Sequence, residues 1–254
     1  MALRIQYASD LHLEFPENRS YLKKNPIQPV GDILVLAGDI VPFTELKKHN
    51  DFFSYVADHF EFTYWLPGNH EYYYFDLATK CGVINEKIRE NFFLVNNTCA
   101  IHGGITILFS TLWSQISIAN RWQVERSMND FHLIQFNGSR FTAEQYNSLH
   151  FEGLDFIKGA IRGLSMEKVV VFSHHCPTFL NFPEQYNGDV LNEAFATELY
   201  DFITLSGIAY WGYGHHHSNI PDFYIGNTQL ITNQLGYVQL REHELFQTGK
   251  VIVL

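Results

Sequence analysis

The sequence is short of positive charge. It has 17 Lys and Arg against 27 Asp and Glu, and neither Lys nor Arg occurs between Lys168 and Arg241. Binding nucleic acid through its phosphates needs a basic stripe, so nucleic acid is not an expected partner. An anion held by the second half of the chain must be met by backbone N–H groups, histidines or bound metal. Cysteine is scarce too. Cys81, Cys99 and Cys176 are odd in number and widely spaced. That excludes a disulfide framework or a zinc ribbon and fits buried thiols in a cytoplasmic protein. No apolar run approaches the roughly 20 residues of a membrane helix. The opening Met1-Ala2-Leu3-Arg4 leads into a strand-like run instead of a signal peptide, so no membrane partner is expected. Without a repeat or a low-complexity linker, residues 1–254 read as one domain.

Aromatics, in contrast, are plentiful, with 22 Phe and 14 Tyr, the opposite of a disordered chain. Five short apolar runs, rich in β-branched and aromatic residues, read as strands: Arg4–Ala8, Ile33–Ala37, Phe62–Leu66, 169–172 and 208–213. Several lack clean alternation, as expected of strands buried on both faces. Helices are expected over 44–60, 75–91, 142–163 and 193–205. The third has the best entry signal, a capping-box pattern of Thr142 and Gln145. Segments 98–101 and Ile105–Ser110 read as a hairpin turning on Gly103 and Gly104. Stretches 229–232, 237–240 and 250–254 read as further strands, so the class is α/β with a mixed sheet. Stretch 115–138 shows no clear period.

Polar residues gather where each strand run ends. The runs end in Ser9-Asp10-Leu11-His12, Gly38-Asp39, Gly68-Asn69-His70-Glu71, Ser173-His174-His175 and Gly214-His215-His216-His217. Each group has a bland reading alone. Asp10 can cap a turn, Gly38-Asp39 is an ordinary strand exit, and Asn69 or Glu71 can cap a helix. Together they cannot be dismissed, because ligands of open α/β sheets sit outside the carboxyl ends of the strands. Nitrogen and oxygen donors without thiolate suit Mn, Fe, Zn, Co or Ni. Two such ions polarise a phosphoryl oxygen and supply hydroxide near neutral pH, with a carboxylate such as Asp39 placed to bridge them.

The ordered series Asp10-x-His12, Gly38-Asp39, Gly68-Asn69-His70-Glu71, His174 and Gly214-His215-x-His217 resembles the calcineurin-like metallophosphoesterases. The resemblance runs from Asp10 to His217. It implies a four-layer sandwich, two mixed β-sheets face to face with helices outside. It implies that Asp10, His12 and His217 hold the first metal, that Asp39 bridges, and that Asn69, His174 and His215 complete the second site. A hydroxide shared by the metals would attack phosphorus in line. His70 would not bind metal but would act over the leaving group. In His174-His175-Cys176-Pro177 the family pattern selects His174. That leaves His175, like His216, for a supporting or substrate-facing role.

The expected activity is therefore that of a metal-dependent phosphoric ester hydrolase acting on a small, nucleotide-like phosphate ester. A dianionic monoester wants cationic donors beyond the metals, and the basic-poor second half leans the reading towards a phosphodiester. A phosphomonoesterase (phosphatase) is the alternative, with Arg121 and Arg126 as its candidate anion clamp. A silent interaction scaffold of the same fold is the alternative of another class, weighed against by a full ligand set. A nuclease would need a basic channel that a net charge of −10 does not suggest. Tyr72, Tyr73 and Tyr74 follow the third motif and are candidates either to stack on a substrate ring or to pack in the core.

Overall fold

The computed structural model describes residues 2–163 and 168–254. In chain order the strands are β1 (Arg4–Ala8), β2 (Ile33–Ala37), β3 (Phe62–Leu66), β4 (Ile84–Arg89), β5 (Phe92–Asn96), β6 (Thr98–His102), β7 (Ile105–Ser110), β8 (Gln135–Phe136), β9 (Ser139–Arg140), β10 (Lys168–Ser173), β11 (Tyr210–Tyr213), β12 (Phe223–Ile225), β13 (Thr228–Thr232) and β14 (Val251–Val253). The α-helices are α1 (Pro16–Lys24), α2 (Asn50–His59), α3 (Arg121–Ser127), α4 (Asp130–Leu133), α5 (Ala143–Arg162) and α6 (Tyr200–Ser206). Among the described residues no helix is long and apolar enough to cross a membrane.

Two six-stranded mixed sheets carry the fold. One runs β14-β1-β2-β3-β5-β4 and the other β12-β13-β11-β10-β7-β6, with parallel strands at the centre of each and antiparallel pairs at the edges. Side chains of a strand alternate between faces. Tyr7, Val35 and Ala37 of the first sheet meet Ile107, Phe109, Val170 and Phe172 of the second. Leu34 and Leu36 point the other way, into a core with Leu22 of α1 and Phe53 and Val56 of α2. Val169 and Val171 turn outward to Leu154 and Ile157 of α5 and Ile203 of α6. Central strands buried on both faces are why their sequences do not alternate. The layering is helix, sheet, sheet, helix, as expected.

The hairpin at Gly103-Gly104 is present, with φ +58° and +80°, the left-handed pair that a two-residue hairpin turn requires. Helix α5 has the full capping box between Thr142 and Gln145.

Other local readings need correction. Segment 75–91 is not a helix. It is one 3-10 turn, Leu77–Thr79, followed by edge strand β4, which pairs antiparallel with β5. Exposed Asn85, Glu86 and Lys87 give that edge the polar face that discourages further pairing. Segment 193–205 is broken because Cys176 and residues 195–197 exchange backbone hydrogen bonds, and α6 starts only at Tyr200. Segment 44–60 begins as a 3-10 helix, Phe43–His49, before α2. Segment 237–240 is a 3-10 turn ending at Arg241, φ +65°, and not a strand. The unassigned 115–138 contains α3, α4 and the start of the β8–β9 hairpin, which turns on Asn137 and Gly138.

Loss of an N-cap oxygen costs about 1 kcal/mol. Thr142→Ala should therefore lower the urea unfolding free energy by about that much, with an unchanged denaturant slope.

Candidate metal centre

The carboxyl ends of β1, β2 and β3 in one sheet face those of β10 and β11 in the other, and the five polar loops meet there. Backbone hydrogen bonds lace them. Asp10 N–H donates to Gly38 O at 2.9 Å, His12 N–H to Asp39 O at 2.9 Å and Gly214 N–H to His174 O at 2.9 Å. Side chains add to the lacing, with His70 N–H donating to Asp39 Oδ1 at 2.9 Å and His215 N–H to Asp10 Oδ1 at 3.0 Å.

The loops bend hard to do this. Asp10, His12, Asp39, His215 and His217 all have positive φ, between 45° and 78°, a region L-residues enter sparingly and where strain collects at functional sites. Two glycines are explained by the crowding. A Cβ on Gly68 would fall on Asp39 Oδ1 and within 2.6 Å of His174 Nε2, and one on Gly38 would fall on the His174 ring. Glu71 is not a helix cap. Buried, it accepts from the N–H groups of Asp39 (2.9 Å), Ile40 (2.7 Å) and Gly68 (2.6 Å) and from Trp65 Nε1 (3.0 Å), clamping loops two and three together.

Donor atoms of Asp10, His12, Asp39 and His217 lie within 4.8 Å of one another, as do those of Asp39, His174 and His215. Asp39 belongs to both groups. Asn69 Oδ1 lies 3.2 Å from His174 Nε2 and so joins the second. His70 is in neither group, but its donor atom lies within 4.8 Å of those of Glu14 and His12, which form a third set with it.

The histidines themselves show that this is a place for cations. His12 turns Nδ1 to the Glu14 carboxylate (3.2 Å) and His217 turns Nδ1 to that of Glu242 (2.8 Å). Their Nε2 atoms then face each other at 2.9 Å. His174 turns Nδ1 to Ala37 O (3.0 Å) and His215 turns Nε2 to Ala194 O (3.2 Å), leaving His174 Nε2 and His215 Nδ1 face to face at 3.2 Å. An imidazole whose outer nitrogen donates to an oxygen presents a lone pair inward, the arrangement typical of metal-ligating histidine. Each pair therefore turns two nitrogens towards a position suited to a cation. With nitrogen and oxygen donors only, the set fits a divalent ion of the Mn, Fe, Zn, Co or Ni kind.

Without metal, one proton per pair takes that place. Burial works against charge on His174 and His217. The Asp39 charge nevertheless raises His174 to about 9, and hydrogen bonds to Asp10 and Glu242 raise His217 to about 10. Their partners move the other way. Burial and the neighbouring His70 charge lower His12, and burial with His175 and His174 lowers His215 well below the usual range. Burial alone would raise Asp10 and Asp39. The His217 hydrogen bond keeps Asp10 low, and the His174 and His70 charges hold Asp39 well below its usual range.

Of the two ambiguous histidines, His174 faces Asp39. His175 is turned to Thr111 O and packs against His215 and Trp113. His216 lines the cleft above the centre, its Nδ1 accepting from Ser218 N–H and Gln234 Nε2–H. The three tyrosines divide. Tyr72 is core, Tyr73 lies under the His70 ring with centroids 4.1 Å apart, and Tyr74 is exposed. Cys176 is buried and donates to Thr178 O.

Sequence reading missed four supporting residues: Glu14, Glu242, Tyr237 and Asp130. Glu14 follows the first motif by two residues. Its Oε1 accepts from His70 Nδ1 at 2.9 Å as well as from His12, and despite burial these two bonds bring it to about 2. Position in the chain was a usable signal for Glu14 and for none of the others.

A cleft of about 330 Å³ opens over the centre. Its floor includes Asp39, Asn69, His70 and His215. Its walls include Phe182, Tyr186, Leu191 and Phe195 from the segment after β10 and Ser127, Met128 and Asn129 from the insertion after β7. Neither Arg121 nor Arg126 lines it, and the Arg126 guanidinium lies over the Trp122 ring instead.

Comparison with known proteins agrees with this geometry. Residues 3–219 match the family model described as calcineurin-like phosphoesterase. The chain is 31% identical over 269 residues to the uncharacterized protein L509 of Acanthamoeba polyphaga mimivirus, spanning 94% of this chain and 93% of that one. In fold it is similar to the phosphopantetheinyl hydrolase PptH of Mycobacterium tuberculosis. The TM-score is 0.71 at 15% identity, over 99% of this chain and 96% of the other.

Metal entering either pair must displace a proton, from His174 or from His217. Both are protonated below their raised values, so metal affinity should be weak at low pH and climb as pH rises towards about 9 at the His174 pair and about 10 at the His217 pair. Calorimetry in buffers of different ionisation enthalpy should register the released protons. An affinity flat across that range would remove these imidazoles from the ligand set.

Proposed function

The chain belongs to the calcineurin-like phosphoesterases, and from that premise we propose that it is a two-metal phosphodiesterase acting on a small phosphate ester. In this reading Asp10, His12 and His217 hold one ion, Asn69, His174 and His215 hold the other, and Asp39 is shared. When bound, the ions supply positive charge to the phosphoryl oxygens and lower the pKa of coordinated water.

The remaining work falls to the chain. Glu14, kept ionised, holds the proton on His70 Nδ1 and orients the ring. Burial opposes a charge on His70, but Asp39 and Glu14 outweigh it and raise its pKa, so the imidazole is disposed to carry a second proton on Nε2. That atom lies 3.4 Å from the Tyr237 hydroxyl at the edge of the cleft. From there His70 donates a proton to the departing alkoxide, a contribution on the order of 10² to 10⁴ in rate.

The observation that favours a diester is the charge of the cleft. Among the described residues no Lys or Arg lines it, while Asp189 and Glu242 do. Phosphate recognition by protein commonly relies on Arg and Lys donors, and here a second negative charge on the scissile phosphate would meet none. A single charge can be met by the ions alone. The apolar walls Phe182, Leu191 and Phe195 suit an uncharged ester arm. The hydrolase named above for its fold puts a phosphopantetheinyl ester among the compounds to try, since its amide-bearing arm is uncharged.

Manganese-loaded protein should cleave bis(p-nitrophenyl) phosphate with a higher kcat/KM than p-nitrophenyl phosphate. His70→Ala should retain its metal and lose about 10² or more in kcat on esters with poor leaving groups. Faster monoester cleavage would overturn the diester reading. Loss of metal from His70→Ala would overturn the role given to His70. Silence towards every ester by protein holding two ions would favour a scaffold of the same fold.

A further inference from the structure

Asp130 lies in the insertion between β7 and α5, in a stretch without a clear sequence period. It is fully buried. Its Oδ1 accepts from Asn69 Nδ2 at 2.8 Å and from the Tyr73 hydroxyl at 2.9 Å. Asn69 Nδ2 also approaches the Tyr73 oxygen at 3.3 Å. The other carboxylate oxygen, Oδ2, is buried without a partner. Asp130 is in neither donor group around Asp39.

An asparagine amide has two faces of similar shape. Only its oxygen has a lone pair for a cation, and its NH₂ must donate. Asp130 Oδ1 accepts from both neighbours, so it pins Nδ2 away from the centre and leaves Asn69 Oδ1 turned to His174 Nε2. The same oxygen holds Tyr73, which packs beneath His70. The three residues before Asp130, namely Ser127, Met128 and Asn129, line one wall of the cleft. Asp130 therefore roots that wall in the floor.

We propose that Asp130 is a positioning residue that keeps the Asn69 amide oxygen facing the ion shared with His174 and His215, so that removing it releases that ion and spares the one held by Asp10, His12 and His217. The proposal rests on the two-ion reading given above. Without an acceptor at 130, nothing behind the amide fixes its orientation before the ion arrives, and the buried Tyr73 hydroxyl and Asn69 NH₂ lose their shared acceptor. Support of this kind, removed from metal sites, typically costs 10-fold to 100-fold in affinity.

The test is calorimetric titration of metal-free wild type, Asp130→Ala and Asp130→Asn with Mn²⁺, beside electron paramagnetic resonance of the loaded proteins. Thermal unfolding of the metal-free forms checks that each is folded. Wild type should take two ions and show a spin-coupled pair. Asp130→Ala should keep one tight site, bind the second ion about 10-fold to 100-fold more weakly and lose the coupled signal. Asp130→Asn should keep both, because its amide oxygen still accepts from Asn69 and Tyr73. Two tight ions in Asp130→Ala would overturn the proposal. So would equal loss in Asp130→Asn, which would make the charge of Asp130 the operative property instead of its acceptor. A wild type that takes only one ion would instead bring down the two-ion reading beneath it.

Discussion

The structure turns on a repulsion that must be relieved. Two buried carboxylates, Asp10 and Asp39, and two pairs of imidazoles with their lone pairs turned inward converge at the ends of five strands. Nothing apolar could sit there, and the groups would push apart without positive charge between them, from a metal ion or from a proton on one imidazole of each pair. The surrounding protein is arranged to resist that push. Every inward-facing histidine is held from behind, by Glu14, Glu242, Ala37 O or Ala194 O. Glu71 ties the backbone of the Asp39 loop to that of the Gly68 loop. Left-handed backbone at Asp10, His12, Asp39, His215 and His217 is the strained geometry that this convergence requires.

Two sheets are better suited to such a site than one. Loops leaving a single sheet lie in a row about 4.8 Å apart per strand. Here three loops come from one sheet and two from the other, so Asp39 can be approached from both sides. The apolar interface between the sheets, filled by residues such as Phe109, Val170 and Phe172, sets their separation. Rigidity in that core is therefore what holds the donor atoms at fixed spacing.

The cleft has a different origin. Its walls come from the insertion after β7 and the segment after β10, neither of which belongs to the two six-stranded sheets. They supply aromatic surface, amides and a carboxylate and, among the described residues, no lysine or arginine. In the phosphodiesterase reading proposed above, the substrate brings one negative charge to the floor and an uncharged body to the walls. Phe195 stacked on His215, with ring centroids 4.6 Å apart, and Tyr73 under His70 join the walls to the floor.

Strand runs and the polar groups ending them could be read directly, because a strand buried on both faces leaves a dense apolar signature and the loops after it carry Asp, Asn and His in plain order. Thr142 and Gln145 marked a helix start because a capping box is a local contact. The errors fell where partners are distant. Segment 75–91 became strand β4 only because β5 was there to pair with it, and 237–240 curled because Tyr237 N–H donates to Glu242, which in turn supports His217. Which of His174 and His175 faces Asp39 is set by strand register and by Ala37 O across the interface. Asp130 reaches Asn69 over 61 residues of chain, a distance that local pattern cannot bridge. The sequence by itself determined the class of fold and the chemical character of the donor set, since both are written in short contiguous stretches. The tertiary structure alone decided which donors pair, what holds each from behind and what charge the cleft presents, because these depend on contacts between loops of different sheets.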